Sequence, residues 1–135
     1  MPVIDASVCV SLANEADRHH DRSLAWFESS LRLDEPLAAP GLLLVEVAAS
    51  IRRLTGSAKL ARRVVSEIRE TDGLELYPLT NARSETAADL AAITGVRGAD
   101  AVYLALAREL EVPLITLDRQ QLERGRTLVS VKKPG

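Results

Sequence analysis

Four acidic residues sit in sequence surroundings that rarely hold acids. Asp100 opens the segment Val96–Leu106, VRGADAVYLAL, in which Ala101, Val102, Leu104, Ala105 and Leu106 leave no polar stripe before Arg108 and Glu109. That pattern predicts a helix buried almost all round, with Asp100 where it emerges from the core. Exposed N–H groups and the positive end of the helix dipole favour an anion within that first turn. Asp5 ends the apolar run Pro2–Ile4, Asp118 ends Leu114–Leu117, and Glu46 interrupts Leu42–Ala49. Brought together at ~4 Å, each pair of ionised groups would repel by about 4 kcal/mol at an effective dielectric of 20. Protons or divalent cations must then intervene. A shell of oxygens without His or Cys selects hard ions, Mg2+ with Mn2+ as its substitute. Such ions support phosphoryl transfer, because they lower the pKa of a bound water, orient it and neutralise charge developing on phosphate.

The elements that must position these acids follow from periodicity. Short apolar runs bounded by polar residues predict strands at Pro2–Ile4, Leu37–Ala39, Leu74–Leu79, Pro113–Leu117 and Leu128–Val131, the third of them an edge strand. Helices are expected between them: a short one capped by Ser7, a second capped by Asp17 and running to about Leu33, a third over Gly41–Thr55 closed by Gly56, a fourth from Ser57, a fifth capped by Thr80, a sixth near Asp100, and a short one after Asp118. Strands alternating with helices imply parallel crossovers and a three-layer α/β/α sandwich. In such sheets, ligands gather at the carboxyl ends of the strands, which is where Asp5 and Asp118 fall.

Bulk properties narrow the class. The chain of 135 residues is one domain by length, 47% hydrophobic but 3% aromatic, so its core is Ala-, Leu- and Val-rich and offers few platforms for stacking bases. No apolar run approaches the ~20 residues of a membrane span, and the N-terminus has no signal-peptide pattern, so a cytoplasmic protein with no membrane contact is expected. The single cysteine, Cys9, excludes an internal disulfide and is read as a core residue. Net charge is -2, yet residues 51–70 carry Arg52, Arg53, Lys59, Arg62, Arg63 and Arg69 against Glu67 and Glu70. This stripe is either a solvated helical face or a hold on flanking nucleic-acid backbone. In the second helix Leu24, Phe27 and Leu31 form the apolar stripe and Trp26 falls off it, open to a protein partner. His19 and His20 are adjacent, diverge on a helix, and are expected at the surface.

The segments VIDAS (Val3–Ser7), LLLVEVAASIRR (Leu42–Arg53), GVRGADAVYLALA (Gly95–Ala107) and LITLD (Leu114–Asp118) resemble the four motifs of PIN domains. Their order, spacing and total length are similar to the VapC-type toxin ribonucleases of VapBC toxin–antitoxin pairs, with the RGAD-plus-Ala-rich helix the most specific part. The resemblance covers essentially the whole chain, 1–135. It implies a PIN-like sheet of about five strands in order 3-2-1-4-5 and a Mg2+- or Mn2+-dependent endoribonuclease that hydrolyses RNA phosphodiester bonds with a metal-activated water. It also implies a homodimer, and a small antitoxin that wraps the toxin and blocks its acidic pocket, with operator DNA reached only through that antitoxin. It carries Asp5, Glu46, Asp100 and Asp118 over as metal ligands and catalytic acids, with Ser7 and Thr116 as polar neighbours. Many relatives have a further acid just beyond the fourth motif. Gln120 and Gln121 stand there instead, so the resemblance does not extend to a second tightly held metal. The rival from another class is a catalytically silent PIN-like module that binds RNA or protein; it would keep binding after acid-to-amide substitution. A receiver-type phospho-acceptor would want an acid beside Asp5, an Asp ending the third strand and a late Lys, and Ala6, Leu79 and the lack of Lys between Lys59 and Lys132 argue against it.

Overall fold

A computed structural model describes residues 1–135. Two central strands are too apolar to face water on either side: β1 (Val3–Ile4) and β4 (Leu114–Ile115) are buried throughout. They pair in parallel, Val3 with Leu114 and Ile4 with Ile115, so both chains leave the sheet at the same edge. β2 (Leu37–Pro40), β3 (Leu74–Tyr77) and β5 (Val131–Lys132) complete a wholly parallel sheet in the order β3-β2-β1-β4-β5. β3 lies at an edge as its alternation predicts, but stops before Pro78, whose ring nitrogen cannot donate to the ladder.

Helices flank the sheet: α1 (Ala6–Ala13), α2 (His20–Arg32), α3 (Leu42–Thr55), α4 (Ala58–Arg69), α5 (Asn81–Thr94), α6 (Gly98–Leu110) and α7 (Arg119–Arg124). α3 ends at Gly56, whose φ of 71° is the left-handed turn expected of a helix stop. α6 is the buried helix of the prediction, with Ala101 and Tyr103–Ala107 all inside. Its alanines let α5 and the strands approach closely. A single turn after α7 brings Gly125 against α6, where a Cβ would stand 2.6 Å from Leu104 Cδ2, so a larger residue here would have to push the buried Leu104 side chain aside. Cys9 is buried, and burial pushes its thiol up to about 12. No single helix is long and apolar enough to cross a membrane.

Three local expectations are corrected. α2 begins at His20, not after Asp17, whose Oδ1 instead accepts from His19 N in the preceding turn at 2.7 Å. Its inward face departs from the expected stripe: Leu24 and Leu31 are 37% and 54% exposed, while Phe27 packs against the core as expected, joined by Trp26, and Ser23 and Ser30 are buried. Small serines let α1 and α2 come together, with Ser11 Oγ donating to Ser23 Oγ at 3.0 Å. Finally, α1 is capped by Asp5, which accepts from Ser7 N, rather than by Ser7.

Candidate active site

The parallel pairing of β1 and β4 delivers Asp5 and Asp118 side by side, and the second turn of α3 and the first turn of α6 bring Glu46 and Asp100 over the same sheet edge. All four line one open cleft of about 550 Å3, together with Ser7, Arg97 and Arg53. The four acids that sequence context singles out thus do converge.

Their surroundings are built. Asp5, 5% exposed, has Oδ2 accepting from Ser7 N at 3.1 Å, Ser7 Oγ at 2.5 Å and Thr116 Oγ1 at 3.1 Å. Thr116 is fully buried, and its Oγ1 also accepts from Asp118 N at 3.0 Å, so one hydroxyl sets the spacing of two strand-end acids. Ser7 Oγ accepts from Leu117 N at 3.0 Å and ties α1 to the end of β4. Asp118 Oδ1 accepts from Gln121 N at 3.0 Å and caps α7. Capping and site-building are therefore the same bonds at both strand ends. Ser7 and Thr116 lie where the resemblance puts them, as neighbours of Asp5.

Two residues without an assigned role complete the cluster. Arg97 donates through Nε to Asp100 Oδ2 at 2.9 Å and through Nη2 to Asp118 Oδ2, and these bonds hold its guanidinium above its ordinary range. Gln121, wholly buried, donates Nε2 to Asp100 Oδ1 at 2.8 Å and to Asp5 Oδ1 at 3.1 Å. The expectation that only protons or cations could hold the acids together is corrected accordingly: an arginine and an amide already bridge them. Arg97 could have been found from its position three residues before Asp100, one helical turn away. Gln121 had no such signal, since its partners lie 21 and 116 residues off.

Repulsion and burial remain visible in the titration of the acids. Burial raises the Asp5 carboxyl above its ordinary value, the Ser7 bonds restrain it, and the charge on Asp100 adds to the rise. Burial likewise raises Glu46; the Tyr103 hydroxyl acts against this, while the charges on Asp5 and Asp100 add to it. Yet Glu46 Oε1 and Tyr103 Oη, though near enough to influence each other, are both buried without a well-formed hydrogen bond. An unpartnered buried carboxylate oxygen is costly in isolation and suits a cation. With an all-oxygen donor set beside it, the cluster fits a hard divalent ion in chemistry. As the side chains stand, no three of the acids are gathered tightly enough to share one ion, with Gln121 and Arg97 placed between them.

The basic stripe divides. Arg53 reaches the rim of the acidic cleft, whereas Arg52, Arg62 and Arg69 edge a separate groove between α3 and α4 floored by Leu44, Val45, Ala48 and Ala61. Lys59 and Arg63 are exposed on α4, Arg63 Nε lying 4.0 Å from Glu67 Oε1. The two histidines diverge as expected, but both are half-buried: His19 lines the cleft and His20 Nδ1 bonds the Ser11 carbonyl at 2.9 Å.

A family model described as the PIN domain matches residues 3–126. No curated protein matches the chain in sequence at a significant level. Among solved structures, the chain is similar to the VapC20 toxin of Mycobacterium tuberculosis, described as cleaving the sarcin–ricin loop, at 18% identity, a TM-score of 0.78 and coverage of 88% of this chain and 91% of that one. It is similar to a chain of VapBC2 from Rickettsia felis, solved bound to a fragment of its promoter DNA, at 12% identity, TM-score 0.73 and coverage of 97% and 96%. A toxin–antitoxin complex from Klebsiella pneumoniae gives 16% identity, TM-score 0.68 and coverage of 100% and 98%. At these identities the likeness is one of fold.

Proposed function

Because the chain belongs to the PIN domain family, we propose that it is the toxin of a toxin–antitoxin pair, an endoribonuclease that requires Mg2+, or Mn2+ in its place, to hydrolyse RNA phosphodiester bonds. The observation that carries this reading is the convergence of Asp5, Glu46, Asp100 and Asp118 on one cleft, with a buried Glu46 oxygen left unpartnered. These four would hold the ion, which when bound activates a water and offsets charge developing on the phosphate.

The chain's own residues do the rest. Thr116 and Ser7 fix the direction of Asp5 Oδ2. Arg97 holds Asp100 and Asp118 toward each other from the cleft wall, where it is 60% exposed and within reach of an incoming phosphate. Arg53 at the rim offers a second backbone contact, and Arg52, Lys59, Arg62 and Arg63 extend positive charge along α3 and α4 for RNA lying across them. No His or Lys stands among the residues that line the cleft as a separate base except His19 at its edge.

The reading includes a single PIN domain over residues 1–135, a cytoplasmic setting, a homodimer, and a cognate antitoxin that covers the acidic cleft and reaches operator DNA on the toxin's behalf. Its support is the family and the toxin–antitoxin character of the structural neighbours. The bridging of the acids by Arg97 and Gln121 favours the alternative, a silent PIN module that binds RNA or protein, because a self-satisfied cluster has less need of a metal. Incubating the purified, antitoxin-free chain with total cellular RNA, in Mg2+ or Mn2+ and in chelator, separates the two. Metal-dependent cutting at mapped ends is the expected result. Binding without cutting, by folded protein, would establish the alternative.

A further inference from the structure

Gln121 occupies the position where an additional acid would only worsen the repulsion between Asp5 and Asp100. Its amide is wholly buried, and Nε2 reaches Asp100 Oδ1 at 2.8 Å and Asp5 Oδ1 at 3.1 Å. Chemistry dictates this orientation, since an amide oxygen turned the same way would face two carboxylate acceptors. The cost shows at the other end of the side chain, where Oε1 is buried without a partner. A side chain that leaves its own carbonyl unsatisfied to serve two carboxylates is holding them, not merely filling space.

We propose that Gln121 is a positioning residue that acts as a neutral place-holder for the divalent ion: its amide clamps Asp5 and Asp100 together in the metal-free protein and yields them when the ion binds. The consequence is a toxin that keeps its acidic cleft assembled without metal. The identity of the ion rests on the nuclease reading, whereas the clamp itself does not. Gln121 reaches the chemistry only through Asp5 and Asp100.

The test compares Gln121→Met, which keeps the bulk and removes the donor, with Gln121→Glu, which keeps the shape and adds a charge. In chelator, Gln121→Met should lower Tm by about 10 °C, as two hydrogen bonds to charged groups are lost, and Gln121→Glu should melt lower still. With saturating Mn2+ the order should invert. Gln121→Glu should regain wild-type Tm and bind Mn2+ on the order of tenfold more tightly by calorimetry, and Gln121→Met should bind it no worse than wild type. A packing role would move both variants alike in both conditions. In an Asp100→Asn background, the Met substitution should cost much less in chelator, because one of the two charges to be held is gone. If both variants melt like wild type in chelator, or if the cost of Gln121→Met is undiminished beside Asp100→Asn, the clamp is refuted. Mn2+ binding abolished by Gln121→Met would also refute it, by making Gln121 a ligand instead. RNA cleavage by wild type is scored separately, so a failed nuclease reading with an intact clamp, or the reverse, is recognised.

Discussion

The molecule holds two charged regions of opposite sign, and they are made in opposite ways. The acidic cleft draws its side chains from two strand ends and the early turns of two helices that lie far apart in the chain, buries Asp5 and Asp100 to 5% and 7% exposure, and gives each oxygen of Asp5, Asp100 and Asp118 a defined donor. The basic stripe comes from two consecutive helices, and its arginines are exposed, with one weak i,i+4 contact at 4.0 Å between Arg63 and Glu67. Charges that must be placed are paid for in desolvation and bonding; charges that only attract are left in water. On the proposed reading the cleft is the seat of chemistry, and the stripe attracts RNA backbone through a field screened beyond roughly 8–10 Å at ordinary salt.

That contrast can be broken at several points. The largest effect is expected at Glu46, where Glu46→Gln should lower RNA cleavage by on the order of a hundredfold or more, the scale of removing one charge-stabilising group from an active site. The metal-free variant should melt no lower than wild type at neutral pH, since a half-buried charge beside two others is removed. Unfolding of the variant would show that Glu46 is structural.

Next in size is Thr116→Val, which removes the hydroxyl that spaces Asp5 and Asp118 and leaves both short of a buried partner. A stability loss of about 1–3 kcal/mol and an activity loss of roughly ten- to a hundredfold are expected, read by chemical denaturation and initial rates.

The third concerns pH. Asp5 and Glu46 have folded-state carboxyls raised from ordinary values of 3.8 and 4.5. The folded protein therefore holds protons that the unfolded chain has released. The stability these two groups contribute is fully present below those ordinary values and is lost as pH rises through the raised ones. In chelator, Tm should accordingly fall as pH rises from the ordinary carboxylate range toward neutrality, and Glu46→Gln should flatten the slope. Glu109 is lowered by its bonds to Arg83 and works in the opposite sense, so the slope is best read as the difference between variant and wild type. A slope unaltered by Glu46→Gln would remove the electrostatic account of the cleft.

The smallest effects belong to the stripe. Arg62→Ala with Arg63→Ala should change stability by no more than about 0.5 kcal/mol and weaken RNA binding only a few-fold, with a shallower salt dependence. Arg53→Ala at the cleft rim should matter more. Equal losses from all three would mean that the stripe is as specific as the cleft.

The same contrast explains what was legible beforehand. The sheet order came with the resemblance, and the acids came from a local rule, an ionisable residue inside an apolar run at a strand or helix end. Asp5, Glu46, Asp100 and Asp118 all obey it. Thr116 was reached only through the resemblance. Gln121, counted as a missing acid, is in fact the donor that joins two of the acids, because hydrogen bonds across 116 residues leave no periodicity. α2 misled for a related reason: its leucines keep helical spacing, but the face it buries carries Ser23, which bonds Ser11 on α1, a partner that pattern alone does not supply.

The central claim is that the cleft cuts RNA, and Asp100→Asn tests it most directly. Wild type and variant should be assayed side by side on total cellular RNA with Mg2+, with Mn2+ and with chelator, their melting followed in parallel. The expected result is metal-dependent cleavage by wild type, none by the variant, and a variant as stable as wild type in chelator, since one like charge has been removed from the cluster. Undiminished cleavage by a folded Asp100→Asn protein would contradict the assignment.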